Sequence, residues 1–238
     1  MKHLKRLLLI ALLLPITVFA QNYEIKEVNT HITMPDDWYV FTKENLKDND
    51  KLKEINITEE YMKNFFTTNR AYLDAMPKTF AYEFVLRTKD VEKMNNLSNY
   101  TDDEVKEVAK EIGKRVYSST NDIYKTNYKY VESYYYDSTN KMYIASYYTV
   151  VNRLGYTFTA QKSEKFTDTE KKQIRDIIKS VSYDIKPEYK EEEKTSFNFN
   201  NILIYAAIGG VAGGLASYIA SKKKKNQANL KWTLFGIL

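Results

Sequence analysis

The sequence predicts an α+β domain: an antiparallel sheet with a three-stranded meander, covered by helices, plus one C-terminal transmembrane helix. Three observations carry this. Stretches alternating at period two recur from residue 22 to residue 162, and amphipathic stretches with capping signals are interspersed with them. A run of nineteen uncharged residues, Ile202 to Ala220, then precedes four lysines. The expected segments are a signal peptide (1–20), an extracytoplasmic α+β domain (21–185), a charged and then polar linker (186–200), a transmembrane helix (201–221) and a short cytoplasmic tail (222–238).

At the N-terminus a basic stretch, Lys2 to Arg6, precedes the apolar run Leu7 to Phe19. Val18-Phe19-Ala20 follows with small or compact residues at the two positions a signal peptidase reads. At ~1.5 Å per residue the run reaches roughly 20 Å, short of the ~30 Å hydrocarbon core, and Pro15 interrupts it. Cleavage after Ala20 is therefore expected, rather than an uncleaved anchor.

Inside the domain, "YEIKEV" and "HITM" alternate as strands, and "WYVF" follows a Pro-Asp-Asp turn. Residues 58–76 read as a helix with Tyr61, Met62, Phe65, Phe66, Leu73 and Met76 near one face. In "TFAYEFVLR" the period of two places Phe80, Tyr82, Phe84 and Leu86 together on one strand face. Thr101 with Glu104, and Thr167 with Glu170, form capping boxes that open two helices. The first helix presents Val105, Val108, Ala109, Ile112 and Val116 to the core, the second Ile174, Ile177, Ile178 and Val181. Between them "NYKYVESYYYD", "KMYIASYYTVVN" and "LGYTFTAQK" make the meander, turning at "DSTN" and "NRLG".

At ~1.5 Å per residue the run Ile202–Ala220 spans about 28 Å, enough to cross a bilayer. Its glycines would each cost about 1 kcal/mol relative to alanine in a water-soluble helix but are tolerated in membrane helices. Lys222 to Lys225 mark the cytoplasmic side, which gives a single-pass protein of the cytoplasmic membrane with its domain outside. Ala206, Gly210 and Gly214 recur at intervals of four, a stripe suited to helix–helix self-association or produced by chance in a Gly/Ala-rich span. Lys231, Trp232 and Phe235 in the tail suit the inner membrane interface.

The formal charge of +5 comes from the two ends. All 31 acidic residues lie between Glu24 and Glu193, and residues 21–200 carry a net charge of −3. A nucleic-acid partner is excluded on that ground. There is no cysteine, so disulfides and thiolate chemistry are absent.

Signals for catalysis are weak. His31 is the single histidine after the signal segment, which leaves triad chemistry or a histidine metal site without partners. Asp36–Asp37 reads as turn chemistry, and Asp102–Asp103–Glu104 as dipole compensation at a helix start. "DNDK" at 48–51 lacks the glycine and later glutamate of a calcium loop. No catalytic, metal or cofactor site is assigned. Tyrosine, at 21 residues, is the unusual feature. On one strand Tyr134 and Tyr136 share a face, and on the next strand Tyr143 and Tyr147 share a face. Such a set either forms a partner-binding surface or fills cross-strand ladders.

"ITMPDDWYVF" resembles the opening of the PsbP/Mog1/DcrB-like superfamily, and "GYTFTAQKSEKFTDTEKKQIRDIIKSVSYD" resembles its closing strand and helix. The resemblance extends over roughly residues 23–185 by element order and is sharp at those two ends. It implies a small α-β-α sandwich used as an accessory, assembly or binding module, with Pro35, Trp38 and Ser180 serving the fold. A C-terminal membrane helix is not general in that family. The expected function is accordingly a non-enzymatic, membrane-anchored binding or assembly module with a protein partner. The alternatives are an envelope glycan or peptide hydrolase using Asp36 or Asp37, and a sensor coupled through the small-residue face of the span.

Overall fold

A computed structural model describes residues 20–91, 95–116 and 120–184. Most of the signal segment, the linker, the span with Ala206, Gly210 and Gly214, and the tail lie outside the described residues. Among the described residues no helix is long and apolar enough to cross a membrane.

The strands are β1 (Ala20–Ile25), β2 (Thr30–Pro35), β3 (Trp38–Thr42), β4 (Ala71–Pro77), β5 (Glu83–Asp90), β6 (Thr120–Lys125), β7 (Lys129–Asp137), β8 (Met142–Val151), β9 (Leu154–Lys162) and β10 (Ser182–Tyr183). The helices are α1 (Asp50–Glu54), α2 (Glu59–Asn69), α3 (Asp102–Val116) and α4 (Asp168–Ser180). A seven-stranded sheet runs β3-β4-β5-β9-β8-β7-β6, and a three-stranded sheet runs β1-β2-β10. All the pairings are antiparallel. This is the expected α+β class, with the meander of β7, β8 and β9 in place.

The large sheet is covered on both faces because its strands alternate two apolar sets. The first set, with Trp38, Leu73, Phe84, Tyr147 and Phe158, packs against Ile32 and Met34 of the small sheet and Ile174 and Ile178 of α4. The second set divides. Phe41, Met76 and Val85 lie under Leu52 of α1 and Met62, Phe65 and Phe66 of α2. Val131, Tyr148 and Val150 lie under Val105, Val108 and Ile112 of α3. Each large side chain fully buried this way contributes roughly 1.5–3 kcal/mol.

The two motif ends meet at the small sheet. Trp38 is fully buried, edge-on to Tyr82 at 5.3 Å between ring centroids. The Ser180 hydroxyl accepts from the Thr33 amide at 3.0 Å and donates to the Ile177 carbonyl at 2.7 Å, binding the end of α4 to β2. Both capping boxes form as expected, at Thr101/Glu104 and Thr167/Glu170.

Three local expectations are corrected. The helix expected over 58–76 stops at Asn69, where Arg70 takes a left-handed conformation with φ 49°, and the chain re-enters the sheet as β4. Leu73 and Met76 had fitted the helical stripe, because spacings of seven and three also suit it. In the strand they fall on opposite faces. Phe80 leaves the face of Tyr82, Phe84 and Leu86: with φ 56° it stacks on Tyr39 at 5.6 Å, on the far side of the sheet. "YEIKEV" is strand only to Ile25, then a 3-10 turn closed by left-handed Asn29. "DNDK" starts α1, whose N-cap Asn49 accepts from the Lys51 amide at 3.0 Å.

Candidate functional site

Tyr130, Tyr134 and Tyr136 of β7 and Tyr143 and Tyr147 of β8 lie on the sheet face that receives α4. Their register pairs Tyr134 with Ala145 and Tyr136 with Tyr143, and it sets Tyr147 opposite Glu132. Two residues along a strand advance about 6.6 Å, close to the ~6 Å of four residues along a helix, so α4 shields the row in step. Arg175 reaches Glu132, and the Lys171 ammonium lies over the Tyr134 ring at 5.4 Å. One further step places Tyr136 where the helix begins, and shielding ends there.

The row therefore grades from interior to surface. Tyr130 and Tyr147 are fully buried, Tyr134 and Tyr143 are partly buried, and Tyr136 is 47% exposed. Tyr136 and Tyr143 pack together at 4.9 Å with their rings inclined by 49°. Of the four tyrosines expected at a partner surface, Tyr147 is withdrawn into the core. Tyr134 is committed to a buried network, and Tyr136 and Tyr143 form the outer pair.

That network centres on Glu132, buried on β7. Arg175 donates to both its oxygens, from Nε at 2.8 Å and from Nη2 at 2.6 Å. The Tyr147 and Tyr134 hydroxyls donate to Oε1 at 2.5 and 2.9 Å. Burial, then the Glu132 charge, pushes the Tyr147 hydroxyl far above its ordinary value, so it stays a donor. The bonds to Glu132 raise Arg175 and keep it charged. The paired charges and hydroxyls fix the side chains beneath the outer tyrosines.

The residues weighed for chemistry do other work. His31 Nε2 lies 2.9 Å from Asp184 Oδ2, an exposed contact that fastens the chain after β10 to β2. Asp36 and Asp37 occupy the exposed β2–β3 turn, where the Asp37 carbonyl accepts from the Lys78 amide at 3.2 Å. Asp102 pairs with Lys125 and Lys129, holding the start of α3 to β6 and β7. Among the described residues, no three His, Cys, Asp or Glu side chains gather to hold a metal ion.

A second buried polar group lies on the opposite face, and sequence reasoning missed it. Asp74 on β4 and Glu83 on β5 are both fully buried. Their signal was an acidic residue inside a largely apolar stretch, Asp74 in "AYLDAMP" and Glu83 in "YEFVL".

No family model matches the chain, and no curated protein matches it. Among solved structures, the solution structure of cyanobacterial PsbP from Synechocystis overlaps with a TM-score of 0.43 at 11% identity, over 70% of this chain and 93% of that one. A crystal structure from Bacteroides thetaiotaomicron overlaps with a TM-score of 0.39 at 11% identity, over 68% of this chain and 47% of that one. Both overlaps are partial. No residue's role is taken from them.

Proposed function

We propose that this chain is a non-enzymatic accessory domain that binds a partner protein on the outer side of the cytoplasmic membrane, to which its C-terminal span tethers it. The observation that carries the binding is the Tyr136–Tyr143 pair at the open end of the tyrosine row. Tyrosine offers a large, stiff contact area with a polar tip, and it is enriched where proteins meet. A rigid support beneath such a pair lowers the entropy lost on binding. The tether rests on the signal-like N-terminus, the nineteen uncharged residues and Lys222 to Lys225.

The test uses the full-length chain in its native membrane. Tyr136→Ala with Tyr143→Ala is expected to abolish crosslinked capture of the partner while the circular dichroism spectrum and Tm stay those of the parent. Capture at the parental level would remove this surface from the account.

A further inference from the structure

In the register of β4 and β5, Asp74 stands opposite Val85, so Glu83 and Arg87 are its two diagonal neighbours on the same face. On the other side of β4, β3 sets Phe41 opposite Asp74, with Tyr39 further along and bonded to Glu54. The helix packed on this edge, α2, contributes Met62, Phe65 and Phe66, with the half-buried Tyr61 at its rim. From β9, Gln161 faces Glu83 in register and donates its amide to Oε2. From β7, Tyr135 acts on Arg87. The charged groups around Asp74 are thus one carboxyl and one guanidinium.

Neither Asp74 oxygen has a donor among the described residues, and its diagonal neighbour Glu83 is the carboxyl whose charge acts on it. Two neighbouring carboxylates repel, and a buried acceptor without a donor is costly. A proton on Asp74 removes the repulsion and turns one of its two oxygens into a donor to the Glu83 carboxylate.

We propose that Asp74 and Glu83 hold one proton between them in the folded chain, so that β4 and the helix upon it form a proton-dependent element whose hold weakens as pH rises. When the proton leaves to solvent, two carboxylates face one guanidinium and the site carries an uncompensated negative charge under the apolar face of α2. The electrostatics agree: burial first, then the Glu83 charge, push Asp74 well above its ordinary 3.8, against the pull of Arg87. A raised carboxyl gives its full stability below the ordinary value and loses it as pH rises toward the raised one.

The test measures the protonated-acid carbonyl band in the infrared, and Tm against pH, for the full-length chain and two variants. The parent is expected to show the band near pH 7, and Asp74→Asn to lack it. Glu83→Gln should lose the band as well, because Asp74 then ionises against Arg87. Asp74→Asn is expected to raise Tm by at least about 3 °C near pH 8 and to leave it unchanged near pH 4. If Asp74→Asn does not fold, the Glu83→Gln spectrum carries the same reading. No band in the parent, a band persisting in both variants, or an equal Tm change at the two pH values would overturn the proposal.

Discussion

The two faces of the large sheet both bury carboxyl groups and deal with them in opposite ways. On the face of α4, Glu132 is met by a bidentate Arg175 and two tyrosine hydroxyls, four donor contacts for two oxygens. On the face of α2, Asp74 finds an acid neighbour and no donor. The difference shows that the carboxyl alone does not decide the cost of burial. A charge with enough donors locks two elements together, whereas one without them stays neutral and becomes sensitive to pH.

The largest expected effect is on the first face. Arg175→Met keeps the aliphatic reach and leaves Glu132 charged and short of donors. Breaking a buried pair costs about 3–5 kcal/mol, and because half-exposed Arg175 leaves water nearby, about 2–3 kcal/mol is expected. Urea denaturation measures it, and a loss below about 0.5 kcal/mol would dissolve the contrast between the faces. Tyr147→Phe removes one donor with the ring retained, for about 1 kcal/mol by the same measurement.

Thr167→Ala breaks the capping box that starts α4 and is expected to cost a similar ~1 kcal/mol. It also sharpens the comparison through pH. Burial opposes ionisation of Glu170, but Lys162 and Thr167 outweigh it and hold the carboxyl below its ordinary 4.5. A lowered carboxyl stabilises above its ordinary value and loses that contribution as pH falls, the opposite slope to Asp74. Melting curves of Thr167→Ala should therefore approach those of the parent in acid, whereas Asp74→Asn should diverge from the parent in alkali. The smallest stability effect belongs to Tyr136→Ala, within about 0.5 kcal/mol, since the ring is already half in water. A larger loss in thermal melts would make Tyr136 a packing residue.

Much of this was legible in the chain. Capping boxes marked α3 and α4, and alternation marked the meander, because those signals act over a few residues. The expectation at 58–76 ran past its end because Leu73 and Met76 fit a helical stripe and an alternating strand alike, and a left-handed Arg70 decided between them. β6, "TNDIYK", escaped notice because a sheet-edge strand with polar residues shows little alternation. The tyrosine faces were assigned correctly, but their exposure was not. That depends on where α4 begins relative to β7, a tertiary distance with no local signature. The approach of Asp74 and Glu83, nine residues apart in the chain, needed the register of β4 against β5.

The most direct test of the account replaces Tyr136 with a photo-crosslinking residue in the full-length chain, in its native membrane, beside the same residue at exposed Lys110 on α3. One defined adduct is expected from position 136, and none of that mass from position 110. No adduct at 136, or the same adduct from both positions, would contradict it.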